Sequence, residues 1–309
     1  MKKVILFLLF LNFLTVALAQ NFEKIIIDKS DPVTGYYLAV VPKGEIESVL
    51  VLFPGFGEKP ESVLAETKLH NTAFNNNILT LIVPFGNKIY ADVPTINNIN
   101  RALTDSIKRM QLNPDKFVIG GFSAGGTIAM RYVELCMEKP EAFPTRPKAV
   151  FTIDSPIDLI DLSKYFDREL VRNFSDVGMN EAIFIQGIMK DELKGTPETN
   201  FSNYVFHSPF TRDLKQPGNE KYLMNIPVRL YHDVDLVWQL KNRRRSAFDN
   251  NVAGASELIA RLMLAGHEKA ELMIAKQPGY RSNGMRHTHS WSIVDEVEFI
   301  QWMKQVIKS

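Results

Sequence analysis

The chain has 309 residues, 45% of them hydrophobic and 23% charged, and its 36 Lys and Arg against 35 Asp and Glu leave a formal charge of +1. That balance excludes a concentrated basic surface of the kind that binds polyanions by counterion release, so nucleic acid is not an expected partner. The single cysteine, Cys136, excludes an internal disulfide framework. The fold must therefore rest on a packed core, which a chain of this length can bury.

Lys2 and Lys3 precede an apolar run over 4–18, and Ala17-Leu18-Ala19 supplies small residues where a signal peptidase cuts, so residues 1–19 read as a secretory signal. The mature chain, 20–309, is then expected outside the cytoplasm, in a periplasm or the medium. No later run reaches the ~18 apolar residues that a membrane span needs. Ile25-Ile26-Ile27 and the runs at 36–41, 49–53 and 78–83 are short, apolar or β-branched and bounded by Asp, Pro, Gly and Asn, which predicts strands. The runs at 117–119, 149–153 and 228–231 lack polar alternation, the mark of strands covered on both faces of a parallel sheet. Helical patterns lie between them at 96–110 and 124–137, and Ile293, Val297, Ile300, Met303 and Ile307 repeat near the 3.6 period. This alternation predicts an α/β class with a mostly parallel central sheet flanked by helices.

Residues 155–225 break the alternation, mixing a helical pattern at 159–174 with Pro, Gly and many aromatics, and predict a helical lid inserted into the domain. Tyr165, Phe166, Phe174, Phe184, Phe201, Tyr204, Phe206 and Phe210 either line an apolar pocket or pack that lid onto the domain.

One motif carries chemistry. Residues 117–126 read Phe-Val-Ile-Gly-Gly-Phe-Ser-Ala-Gly-Gly, so a buried-type strand enters G-F-S-A-G at 121–125 and leaves as a helix. A serine hydroxyl becomes a nucleophile only when a base takes its proton and a tight turn holds it clear of the sheet, and the flanking glycines leave room for that turn. Ser123 is the candidate nucleophile. The amide of Ala124, at the helix N-terminus, is placed to donate to an oxyanion.

At this motif the sequence resembles the α/β-hydrolase superfamily, in particular its secreted serine esterases and its oligopeptidase-like branch, and the resemblance extends over the order of elements. It implies the α/β-hydrolase fold and a serine, acid, histidine order along the chain. A second oxyanion donor is implied in the loop after the third strand. Pro54-Gly55-Phe56-Gly57 stands there, with Pro54 where the family often has His, and it offers the amide of Phe56, or failing that Gly57. For the acid, the strand at 228–231 runs into His232-Asp233-Val234-Asp235, which favours Asp235; Asp233 is an alternate, and Asp154, after the preceding strand, is a third. For the base, Arg286-His287-Thr288-His289-Ser290-Trp291 resembles the His-x-Trp ending of many secreted members, which favours His289 with His287 as alternate. The implied activity is ester hydrolysis through an acyl-enzyme on Ser123, on a small ester or an acylated carbohydrate, with no cofactor or metal. Peptide hydrolysis is the alternative chemistry, although the peptidase branch commonly carries a propeller domain for which 290 residues leave no room. A hydrolase-fold binding protein without activity is the alternative from another class.

Other features are weaker. His287 and His289, with His232, Asp233 and Asp235, could in principle ligate zinc, but that reading leaves the serine motif unexplained. Arg243-Arg244-Arg245 reads as a solvated helix face or as a selector for an anionic substrate group. Trp238 and Trp291 flank the favoured acid and base, as pocket wall or as packing beneath it.

Overall fold

A computed structural model describes residues 22–308, so the 1–19 signal reading lies outside the described residues. Eight strands form one sheet: β1 Phe22–Ile26, β2 Tyr36–Val40, β3 Ser48–Phe53, β4 Ile78–Ile82, β5 Phe117–Phe122, β6 Ala149–Ile153, β7 Val228–His232 and β8 Ala270–Ile274. Their spatial order is β1-β2-β4-β3-β5-β6-β7-β8. β2 runs antiparallel to both β1 and β4, and every pairing from β4 to β8 is parallel.

Among the described residues, ten α-helices connect and cover the sheet. α1 Pro60–Glu66 and α2 Leu69–Phe74 join β3 to β4, α3 Val93–Met110 joins β4 to β5, and α4 Ala124–Glu138 joins β5 to β6. α5 Leu159–Arg172, α6 Asp176–Glu192 and α7 Phe201–His207 lie between β6 and β7, α8 Leu236–Arg243 and α9 Val252–Leu264 between β7 and β8, and α10 Glu296–Lys308 ends the chain.

The central strands are buried along their whole length, which is why β3, β5 and β6 read as predominantly apolar runs, while β7 is equally buried but carries Arg229 and His232. One face of the sheet, with Val51, Phe53, Ile119, Val150 and Leu230, packs against Ile99 and Leu103 of α3, Ile128 and Tyr132 of α4 and Leu258 of α9. The other, with Leu50, Leu52, Val118, Phe151 and Ile153, packs against Phe299, Ile300 and Met303 of α10 and Val63 of α1. A separate apolar cluster unites the insertion: Leu159, Ile160 and Phe166 of α5, Ala182, Ile185 and Met189 of α6 and Tyr204 of α7 meet Ile89 and Tyr90 from the loop after β4.

The expected strands and the three expected helices are all present. The predicted helix at 159–174 is α5, capped by the Asp158 carboxylate, which accepts from the amides of Ile160 and Asp161. β8 was not expected. It is an edge strand whose middle residues are half-exposed, and its Ala-Glu-Leu-Met-Ile run is interrupted by a charge at its second position. The consequence for the site is topological: the parallel strands β3, β5, β6, β7 and β8 all end on one edge, and the loops leaving that edge carry every candidate residue.

Candidate active site

Ser123 occupies the turn between β5 and α4 with φ 53° and ψ −126°, a backbone conformation that L-residues rarely adopt. Its amide donates to Ile153 O at 2.9 Å, tying the turn to β6, and no side-chain bond caps the helix through its hydroxyl, which is left for chemistry. Two glycines make the turn possible. A Cβ on Gly121 would lie 2.6 Å from Phe53 O, and one on Gly125 would lie 2.1 Å from Pro54 O. The backbone of the β3 exit loop passes directly over the elbow, and no side chain fits between them.

Asp154, the residue after β6, also has a positive φ of 44°. The β6/β7 register pairs Ile153 with Tyr231, so Asp154 comes beside His232 at the end of β7. Asp154 Oδ2 lies 2.6 Å from His289 Nδ1, and Oδ1 lies 3.0 Å from His232 Nδ1. Asn251 Nδ2 donates to the Asp154 main-chain oxygen at 2.9 Å. Burial alone would raise the pKa of this carboxyl, but the His289 charge and the two imidazole hydrogen bonds outweigh it and hold Asp154 far below the usual range. His289 packs against Phe122 with the rings tilted by 39° and their centroids 4.4 Å apart, and Phe122 in turn lies on the fully buried Trp291 at 5.4 Å. The imidazole is held from below by aromatic packing and from behind by a carboxylate.

The loop after β3 is fixed by Glu58, whose carboxylate accepts from the Gly55 amide at 2.7 Å and from Trp291 Nε1 at 3.1 Å. Burial raises the Glu58 pKa. Phe56 follows Gly55 in this loop, and its ring meets Phe184 of α6 edge-on at 6.2 Å. Ala124, as the first residue of α4, has an amide with no intrahelical acceptor. Ser123, Ala124, Phe56, Asp154 and His289 all line one cavity of about 320 Å³. No hydrogen bond joins Ser123 to His289 among the described residues, an open arrangement common in unliganded sites.

Neither a family model nor a curated relative matches the sequence. Solved structures do match in three dimensions. Carboxyl esterase 2 of the mycorrhizal fungus Tuber melanosporum superposes with a TM-score of 0.60 at 15% identity, over 94% of this chain and 88% of that one. MPT51 of Mycobacterium tuberculosis gives 0.59 at 12% identity, over 94% and 99%. A hormone-sensitive lipase from a metagenome library gives 0.56 at 14% identity, over 93% and 87%. The chain has the α/β-hydrolase fold.

Within that fold the structure brings to His289 a different aspartate from the one the sequence favours. Asp235, favoured in the sequence, does not touch His289: it caps α8 by accepting from the Trp238 amide at 2.9 Å and pairs with Arg286 at 3.0 Å. Asp233, the first alternate, accepts from the Gly279 amide at 2.9 Å and pairs with Arg286 at 2.7 Å, which anchors the loop carrying His289. The carboxylate on the imidazole is Asp154. The alternate base, His287, turns its Nε2 toward Arg243 at 2.7 Å, and burial, followed by the neighbouring His289, Arg281 and Arg243 charges, lowers its pKa to about 3. A guanidinium only donates, so a neutral His287 accepts through Nε2.

The aromatic residues of the insertion divide. Tyr165 and Phe166 line the cavity, together with Ile185 and Leu162. Tyr204 and Phe210 are buried in packing, whereas Phe174, Phe184, Phe201 and Phe206 are exposed. Of the arginine triplet, Arg243 and Arg245 face the cavity, and Arg244 turns out beyond the end of α8 in a left-handed conformation, over the ring of Phe174. Trp291 packs beneath the site, while Trp238 stacks edge-on against His287 at 5.3 Å. Among the described residues no group of three or more His, Cys, Asp or Glu side chains is arranged to hold a metal ion, and no helix is long and apolar enough to cross a membrane.

Asn251 and Arg281, on the cavity wall, escaped the sequence reading, and His232 entered it only as a possible zinc ligand. His232 had a signal, since it ends the strand adjacent to the one that Asp154 follows. Asn251 and Arg281 lie in loops whose return to this edge no local pattern encodes.

Proposed function

We propose that this α/β-hydrolase cleaves carboxylic esters through an acyl-enzyme formed on Ser123. The observation that carries the reading is the 2.6 Å Asp154–His289 contact beside a serine held at positive φ in the same cavity. In this mechanism His289 accepts the Ser123 proton through Nε2 as the hydroxyl attacks the ester carbonyl, and Asp154 holds the ring by its Nδ1–H and stabilises the imidazolium. The amides of Ala124 and Phe56 donate to the oxyanion. His289 then returns the proton to the leaving alcohol, and water, deprotonated by the same imidazole, releases the acid and regenerates Ser123. Similar structures that are named esterases and a lipase support ester over amide chemistry.

The cavity wall includes Glu181, Gln239, Asn250 and Asn251 beside Tyr165 and Phe166, a mixed lining that supports a hydroxylated alcohol such as an acylated carbohydrate. Residues 1–19 act, in this proposal, as a cleaved export signal. Recovery of exported protein with Gln20 at its N-terminus tests that, and a retained Met1 in exported protein overturns it.

The test of the chemistry is labelling with a fluorophosphonate followed by mapping of the modified peptide. An adduct on Ser123, absent in Ser123→Ala, is the expected result. Folded protein that takes no label and turns over no aryl ester would overturn the reading in favour of a binding protein.

A further inference from the structure

Almost every charged side chain on the cavity wall has a partner of opposite sign or a hydrogen-bonded acceptor that accounts for it. Asp154 is taken by His289 and His232, Asp233 by Arg286, and Asp249, whose side chain is fully covered, by Arg168 and Arg172. Arg245 pairs with Glu169 at 3.4 Å and lies over the Tyr165 ring. Two arginines are different. Arg281 has no ion pair and no side-chain hydrogen bond among the described residues; its guanidinium lies over the face of Phe122 at 5.2 Å, on the ring that also stacks on His289. Glu66 and Glu58 are the acidic groups nearest to it besides Asp154, but Glu66 is bonded to Ser282, and Glu58 to Gly55 and Trp291. Arg243 bonds only the neutral His287 and lies over Trp238 at 5.7 Å.

Both guanidiniums therefore flank His287, feel each other's charge, and face a cavity that opens on the reacting serine. Burial lowers the Arg281 pKa, a cost that no carboxylate of this chain offsets by contact. Arginine forks held near each other and left without acceptors match the geometry of a carboxylate, which takes two N–H donors at once.

We infer that Arg281 and Arg243 form a carboxylate subsite, and that the substrate is an ester whose acyl or alcohol part bears a second, ionised carboxyl group. The inference rests on the proposed esterase reading for its chemistry but not for its binding. It also has a mechanistic consequence. Two nearby cations oppose the imidazolium that His289 must become, and a carboxylate bound between them removes that opposition only when the right substrate is present.

The experiment compares two esters of equal length, mono-4-nitrophenyl glutarate, which is anionic, and its neutral methyl ester. Alongside it, calorimetry measures glutarate binding to Ser123→Ala, which requires no turnover. The expected result is at least a tenfold higher kcat/KM for the anionic ester, a ratio that falls toward one in Arg281→Gln and Arg243→Gln and is partly kept in Arg281→Lys, together with glutarate binding that weakens fivefold or more when Arg281→Gln is added. Labelling of Ser123 with no preference for the anionic ester and no glutarate binding overturns the subsite and leaves the esterase standing. Glutarate binding that depends on Arg281, in protein that labels at no serine and turns over neither ester, keeps the subsite and overturns the esterase. A preference that survives both Gln variants places the anion elsewhere and overturns the assignment.

Discussion

Asp154 Oδ2 and His289 Nδ1 are 2.6 Å apart although 135 positions separate the residues in the chain. The contact fixes the tautomer: with Nδ1–H given to the carboxylate, Nε2 is left with its lone pair toward the cavity, as a base for Ser123 must be. Asp154→Asn removes the charge and presents either an amide N–H or a neutral oxygen to the ring. Ester turnover is expected to fall by roughly 10³–10⁴ in kcat. Asp235→Asn, measured beside it, is expected to stay within about threefold of wild type, because its cap to Trp238 survives in the amide oxygen. The reverse ranking of the two variants would return the acid to Asp235.

His232 is a second imidazole on the same carboxylate, almost fully buried, with Nδ1 on Asp154 Oδ1 and Nε2 without a partner. It acts through Asp154, as a positioning residue. Replacing it by Leu leaves a buried carboxylate oxygen with one donor fewer, a loss of about 1–3 kcal/mol, or roughly 10- to 100-fold in rate if it is felt in the transition state. The expected signature is a lower kcat at unchanged KM, with His232→Asn recovering part of it. A Leu variant that unfolds more readily yet turns over at the wild-type rate would make the residue purely structural.

Ser123 pays for its exposure with backbone strain, since a φ of 53° with ψ −126° is a conformation only glycine adopts freely. Its hydroxyl caps nothing, so little stability is lost with it. Ser123→Gly is therefore expected to be inactive and more stable than wild type by about 1 kcal/mol, while Ser123→Ala is inactive at nearly unchanged stability. Thermal or urea unfolding of the three proteins checks this. A glycine variant less stable than the alanine variant would show that the turn is unstrained.

The strands most legible in the sequence are those buried on both faces: Val49 to Phe53 of β3 and Ala149 to Ile153 of β6 are unbroken apolar runs because no residue in them meets water. β8 was illegible for the opposite reason, being an edge strand with Glu271 paired to the buried Arg229. Ser123 was legible because the elbow is local, a strand, a turn and a helix within ten residues. The acid was not. Three aspartates follow the ends of β6 and β7, and Asp235 matches two patterns at once, a family acid and an ordinary helix N-cap. Which one meets His289 depends on how the 275–289 loop returns to the sheet edge, and that path is set by Asp233 and Asp235 holding Arg286. The two carboxylates that the sequence offered first thus hold the loop that carries His289.

Gly125 offers a structural check of the elbow that does not depend on activity. A Cβ there would meet Pro54 O at 2.1 Å and Phe53 O at 2.3 Å, and both are backbone atoms of a central strand and its exit loop that cannot rotate away. Gly125→Ala is expected to cost about 3 kcal/mol or more and to yield poorly folded protein. At Gly187, on the exposed side of α6, an added Cβ meets nothing within 4 Å, and Gly187→Ala is expected to stabilise by roughly 0.5–1 kcal/mol through helix propensity. Equal midpoints for the two variants would contradict the packing described for the elbow.

Asp158, at the N-cap of α5, links the insertion to pH. Burial, and secondarily the charge of Asp161, raise its pKa to about 6 from an ordinary value of 3.8, although the amides of Arg212, Ile160 and Asp161 all donate to it. A carboxyl whose pKa is higher folded than unfolded binds its proton more tightly in the native state. Its contribution to stability is complete below about pH 4 and is lost as pH rises toward 6. The difference in unfolding free energy between wild type and Asp158→Asn is therefore expected to decline by roughly 2–3 kcal/mol from pH 4 to pH 6.5 and to stay flat above it. The Asn variant keeps an acceptor for Ile160 and Asp161 but no titrating group, so the slope isolates this carboxyl. Urea titrations across that range measure the difference directly, and a rising or level difference would mean that the three amide donors, rather than burial, control Asp158.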